Sequence, residues 1–171
     1  MKRLCLMILA VSVLLTGCLG GEDKFEREVV KEAEAVKLAR ETVKGSYELL
    51  TVADLKGLQD KGEAMVIVDT MPYEDSYVKG HVPGAVQFLF PIKPMETWDA
   101  AGTDGKSEDD YTALLGPDKD KLVVVYCGYV KCGRSDNGAV WAKKLGYTNV
   151  KRLPGGIFAW KGAGYPVATG E

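Results

Sequence analysis

From Tyr47 onward, short runs of β-branched residues alternate with stretches of helical period, and few architectures accept that rhythm. Tyr47 to Val52 predicts a strand. Thr51, with Asp54 three residues on, predicts the capped start of a helix running through Lys61. Ala64 to Asp69 is an apolar run of buried-strand type. Ala85 to Phe88 is a second after the Gly80-His81-Val82-Pro83-Gly84 turn, and Lys121 to Tyr126 a Val-rich third. Ser107 to Leu115 and Ser135 to Leu145 predict helices, the latter ended by Gly146, and Thr148 to Leu153 predicts a last strand. The expected fold class is therefore α/β, a central parallel sheet with helices on both faces. Pro91, Pro94, Gly102 and Gly105 break the pattern, so residues 91–106 read as an inserted loop, with Trp98 a candidate wall or lid or simply surface.

The first residues carry a different kind of information. Lys2 and Arg3 precede twelve apolar residues, Leu4 to Leu15, whose only hydroxyl is Ser12. That run is too short for a helix across a bilayer, which needs roughly eighteen or more residues, and it matches an export signal instead. Leu15-Thr16-Gly17-Cys18 is similar to the lipobox of bacterial lipoproteins, which implies that residues 1–17 are a signal peptide and that Cys18 is lipidated. The expected location is the bacterial cell envelope, on the periplasmic face of the outer or inner membrane, and two or more acyl chains would make the anchor stable. Residues 18–46 would then link anchor and domain. Within them, Phe25, Val29, Ala33, Val36 and Val43 form a weak apolar stripe on a charged helix from Glu22 to Lys44. Either a stalk that packs on the domain or a solvated linker fits, and neither touches the chemistry.

Composition narrows the partners. Losing Lys2 and Arg3 takes the net charge from −2 to −4, which leaves no electrostatic case for nucleic acid. Of four cysteines, only Cys127 and Cys132 remain in the expected 47–171 domain. With His81 as the one histidine they make no structural zinc site, and no metal or cofactor is expected. An extracytoplasmic location permits a disulfide between the two.

The stretch from Val123 to Ser135 carries the chemistry. Cys127 stands where a strand stops, at the end of the sheet where ligands bind in open α/β folds. A helix beginning near Ser135 would aim backbone N–H groups of Gly128, Tyr129, Val130, Lys131, Cys132, Gly133 and Arg134 at an anion above the sulfur. Lys131 and Arg134 add positive charge. Such surroundings depress a thiol pKa, so Cys127 is expected as thiolate without a histidine base.

Asp69, the Gly80–Ala85 turn, the Cys127 loop with Arg134-Ser135, and Gly146 to Val150 leading into Leu153-Pro154-Gly155-Gly156, Ala159-Trp160 and Ala163 to Val167 occur in the order of a rhodanese domain, which this region resembles over about residues 47–168. The resemblance implies a sulfurtransferase that takes the outer sulfur of thiosulfate or a related anionic donor onto Cys127 as a persulfide. A thiol or cyanide-like acceptor would then receive it, with the loop and its two cations holding the donor. Three features depart from the family pattern. Six residues separate Cys127 from Arg134, where active rhodanese loops typically hold four and dual-specificity phosphatases five, so a wider pocket is expected. Thr70 and Met71 follow Asp69 where an arginine commonly braces the loop. Cys132 lies inside the loop, either as a resolving thiol for a redox-linked reaction or as a small buried residue. A phosphatase and a non-catalytic binding module are the remaining alternatives. Asp69, His81 and Ser135 are expected as structural support, Asp136 as an acid or a helix-dipole partner, and Trp160 as core.

Overall fold

The computed structural model describes residues 23–170, so the signal peptide and Cys18 lie outside the described residues. Helix α1 (Lys24–Gly45) comes first, then β1 (Glu48–Leu49), α2 (Val52–Asp60) and β2 (Met65–Asp69). A π-helical turn (Tyr73–Tyr77), β3 (Ala85–Gln87), a 3-10 turn (Ala100–Thr103), α3 (Glu108–Leu115), β4 (Leu122–Tyr126), α4 (Arg134–Lys144), β5 (Val150–Leu153) and α5 (Gly156–Gly162) follow. The strands form one parallel sheet in the order β1-β5-β4-β2-β3.

Alternation along β4 divides the core. Val123 and Val125 pack with Tyr111, Ala139 and Trp141 of α3 and α4 on one face, while Val124 and Tyr126 pack with Leu55, Ile157 and Trp160 of α2 and α5 on the other. A central parallel strand must be apolar on both sides, and this Val-rich run supplies that. Thr51 and Ser107 cap α2 and α3 through reciprocal capping boxes with Asp54 and Asp110, as the spacing at Thr51 predicts.

Three elements differ from expectation. The predicted strand at Tyr47 to Val52 shrinks to Glu48–Leu49 because Val52 already belongs to α2. Helix α5 was not expected. The 91–106 insertion is tied down: Asn137 donates to the Pro91 and Lys93 carbonyls and accepts from the Met95 amide, and Trp141 Nε1 donates to the Met95 carbonyl. Trp98 packs edge-on against Trp141 with ring centroids 4.9 Å apart and joins Phe88, Phe90 and Tyr111, which makes it part of the core's aromatic cluster.

The first helix turns its weak apolar stripe outward. Phe25, Val29, Val36 and Val43 of the apolar stripe all face water, whereas Glu34, Leu38, Glu41, Thr42 and Gly45 are at least partly buried where α1 lies against the domain beside α4. A Cβ at Gly45 would lie 2.4 Å from the Tyr47 ring and 3.0 Å from Val140, so glycine lets the helix end come this close. None of the described helices is long and apolar enough to cross a membrane.

Candidate functional site

Cys127 follows β4 directly and is fully buried at the carboxyl end of the sheet. Two features of the chain turn the loop over it. The Cys132 amide donates to the Tyr129 carbonyl at 3.0 Å, a tight turn that folds residues 129–132 back toward Cys127. At the other side, the first amides of α5 hold the loop's beginning: Ile157 N donates to the Cys127 carbonyl at 2.9 Å and Phe158 N to that of Gly128 at 3.0 Å. Gly156 makes this possible. Its φ is +54°, and a Cβ there would sit 2.0 Å from the Cys127 carbonyl oxygen. The insertion presses from a third direction, since a Cβ at Gly133 would meet the Ile92 carbonyl oxygen at 2.2 Å.

Beneath the loop lies a residue that sequence reasoning missed. Arg152 of β5 is fully buried; its Nε donates to Ser135 Oγ at 2.9 Å and its Nη2 to the Cys132 carbonyl at 2.9 Å. Nη1 bonds Glu41 of α1 at 2.6 Å and the Tyr47 hydroxyl at 3.1 Å, with Asp136 at 3.7 Å. Ser135 Oγ is 3.3 Å from Cys127 Sγ. That oxygen accepts from Arg152 and keeps its own proton, which it can donate to the sulfur whenever the sulfur carries charge. Arg152 thus supplies the brace that Thr70 and Met71 do not. Thr70 instead donates to the Tyr126 carbonyl at 2.8 Å.

The two sulfurs are shifted in opposite directions. Burial pushes the Cys127 thiol well above its ordinary value and the Cys132 sulfur adds to this, outweighing the Ser135 hydroxyl and amide. Cys132 is lowered to about 6, first by the hydrogen bond from the Cys127 thiol and, against its own partial burial, by the Arg134 and Gly128 amides and the Arg134 charge. Burial thus opposes the expected Cys127 thiolate, while the Arg134 and Gly128 amides favour charge on Cys132. Both cysteines are free thiols.

The predicted cations are both engaged. Lys131 Nζ pairs with Glu34 at 3.0 Å while its carbonyl accepts from Lys37 at 3.0 Å, and Arg134 donates to the Phe90 carbonyl. The expectation that α1 stays clear of the chemistry is thus also overturned. Gly128 is buried, Val130 half-buried, and Tyr129 exposed with its ring stacked on Phe158 at 5.6 Å. His81 is structural, as expected: Nδ1 lies 2.9 Å from the Tyr77 carbonyl and the ring stacks on Tyr77 at 3.9 Å. Asp136 accepts from the Tyr47 hydroxyl at 2.6 Å and stands beside Arg152, so it is committed to the brace. Asp69 Oδ1 accepts from the Met71 amide at 2.9 Å, but Oδ2 is buried without a partner, and burial raises this carboxyl to about 6.

A parallel α/β domain that carries a cysteine on an amide-lined loop between a central strand and a helix defines the class. The chain belongs to the rhodanese-like domain family, whose profile matches residues 51–163. It is 33% identical over 136 residues to the HTH-type transcriptional regulator Rv0324 of Mycobacterium tuberculosis, covering 79% of this chain and 51% of that one. It is 31% identical, over 72% of this chain and 47% of the other, to an M. tuberculosis protein carrying the provisional name thiosulfate sulfurtransferase SseB. The chain thus spans about half the length of these relatives. In structure it is similar to a thiosulfate sulfurtransferase from Pseudomonas aeruginosa, with TM-score 0.60 and 21% identity over 81% of this chain and 23% of that one.

Proposed function

We propose that this protein is a sulfurtransferase that carries sulfane sulfur on Cys127. The supporting observation is that the loop sets the Cys132 carbonyl at 3.5 Å and the Ser135 hydroxyl at 3.3 Å from the Cys127 sulfur at the end of β4, with the Arg134 and Gly128 amides favouring charge on the neighbouring Cys132 sulfur. A cradle that stabilises one sulfur anion suits another, such as the terminal sulfur of thiosulfate. The donor anion itself takes the Cys127 proton as it binds, and that proton leaves with the sulfite. The Cys127 sulfur then attacks the outer sulfur of the donor, the donor's S–S bond breaks, and sulfite leaves with the bonding pair. Ser135, donating to the Cys127 sulfur, stabilises the charge while it resides there. An external thiol or cyanide-like acceptor takes the outer sulfur and returns Cys127 as thiolate. The relative named as a thiosulfate sulfurtransferase supports the same donor class. The lipobox-like Leu15-Thr16-Gly17-Cys18 supports a setting at the cell envelope, with Cys18 as the lipid-bearing residue.

Intact-mass measurement tests this. Incubation of a Cys132→Ser protein with thiosulfate should add one sulfur atom, and the further change Cys127→Ser should abolish the gain. Unchanged mass in a Cys132→Ser protein, tried with thiosulfate, polysulfide and an alkyl persulfide, would remove the transfer reading.

A further inference from the structure

The loop places a second sulfur against the first. The Tyr129–Cys132 turn brings the Cys132 carbonyl to 3.5 Å from Cys127 Sγ, which holds the Cys132 backbone against the first sulfur. Arg152 holds the Cys132 carbonyl and Ser135, on opposite sides of Cys127, with one guanidinium at 2.9 Å each. The contact is therefore built into the site. A cysteine whose own carbonyl touches the partner sulfur can swing its side chain toward the ~2.05 Å of a disulfide. Cys132 is also half-exposed, so it can exchange protons with solvent.

We propose that Cys132 resolves the Cys127 persulfide inside the loop, so that the sulfur leaves this protein as hydrogen sulfide and the two cysteines become a disulfide. This step rests on the Cys127 persulfide reading above. Cys132 sulfur attacks Cys127 Sγ, the bond between Cys127 Sγ and the outer sulfur breaks, and the outer sulfur leaves with that electron pair. The Cys132 proton goes with it: a Cys127 persulfide anion and a Cys132 thiol become the Cys127–Cys132 disulfide and HS⁻. The two cysteines are oxidised and the sulfane sulfur is reduced. An external dithiol then reduces the disulfide by thiol–disulfide exchange and restores both thiols. Proximity favours this route, since well-oriented intramolecular attack has an effective concentration far above that of any acceptor free in solution. The lowered Cys132 thiol adds to it, because its proton passes readily to the leaving sulfur as the new bond forms.

Full-length wild-type, Cys132→Ser and Cys127→Ser proteins, reduced and freed of reductant, are incubated with thiosulfate and followed by non-reducing intact mass and by sulfide assay. Wild type should release one sulfide per chain, lose the mass of two hydrogens and protect both cysteines from alkylation. Cys132→Ser should keep one added sulfur atom on Cys127 and release sulfide only when external thiol is added. Cys127→Ser should do neither. Wild type that accumulates the added sulfur as Cys132→Ser does, with Cys132 still alkylatable and no sulfide released, overturns the proposal. In a parallel glutathione redox buffer the wild type should form the intramolecular disulfide; failure to form it also overturns the proposal. A disulfide formed there, together with a Cys132→Ser protein that no donor charges, removes the transfer reading and sulfide release with it, leaving a thiol–disulfide exchanger.

Discussion

Arg152 Nη1 bonds Glu41 Oε2 at 2.6 Å, and through this pair the helix preceding the domain reaches the support of the Cys127 loop. The guanidinium has no exposed surface and spends its other donors on Ser135 and the Cys132 carbonyl. A buried cation needs a counter-charge and a full set of acceptors, and only part of that set comes from the domain itself. Helix α1 therefore completes the site from outside the matched family region of residues 51–163.

Glu41→Ala should destabilise the fold by about 2 kcal/mol. Breaking one side of a buried pair costs roughly 3–5 kcal/mol, reduced here because Asp136 stands 3.7 Å from Arg152 and can take over part of the charge. Glu41→Gln, still an acceptor for Nη1, should recover about half of the loss. Urea unfolding measures both. A Glu41→Ala midpoint equal to wild type would mean that the pair supports nothing.

The two thiols should react in an order set by their acidity. Cys132, lowered to about 6, should be alkylated first at neutral pH, with a rate that falls as pH drops below that value because the thiol form is then protonated. The hydrogen bond from Cys127 is the largest cause of the lowering, so Cys127→Ala should move the midpoint up toward the ordinary thiol range. Peptide mapping after brief iodoacetamide treatment across pH reads this out. Cys127 labelled ahead of Cys132 would show that the charge lies on the other sulfur.

Much of this site is legible in the sequence because it is local. The Val-rich run, the cysteine that ends it and the helix starting at Arg134 sit within a few residues, and periodicity finds all three. Arg152 escaped because its partners lie far along the chain, at Glu41, Tyr47 and Ser135. A usable signal did exist: Arg152 shares a face with Val150 in a strand flanked by β1 and β4, where a charge is out of place unless something answers it. Helix α1 misled for the opposite reason. Its apolar stripe suggested the docking face, but the docking is ionic, through Glu34 and Glu41, and periodicity does not register that. Helix α5 is only seven residues long and opens on Gly155-Gly156, so its start resembles a turn. Which cysteine carries the charge depends on where each sulfur lies relative to the amides, and spacing alone does not contain that.

Asp69 should make stability fall with rising pH. Its folded value of about 6 lies above the ordinary carboxyl value of 3.8, so its contribution is fully present below the unfolded value and lost as pH rises through 6. Asp69→Asn cannot ionise and keeps an acceptor for the Met71 amide. Between about pH 4 and pH 7, the stability difference should shift toward the variant by roughly 2–3 kcal/mol. Urea unfolding curves whose separation is the same at both pH values would show that the carboxyl is not titrating in that window.

Lys131 is the loop cation that faces solvent, and Glu34 holds it at 3.0 Å with both side chains partly exposed. Exposed pairs are worth little to stability, so this one should matter mainly for what approaches the loop. With its counter-charge removed, Lys131 attracts an anionic sulfur donor more strongly. Glu34→Gln should lower KM for thiosulfate about threefold at low ionic strength, with kcat little changed, and the advantage should fade as salt approaches physiological levels. Lys131→Ala should raise KM by a similar factor and make Glu34→Gln silent in the double variant, because the two act through one charge. A Glu34→Gln effect that persists without Lys131 would instead place the influence of α1 on the loop backbone, where Lys37 holds the Lys131 carbonyl.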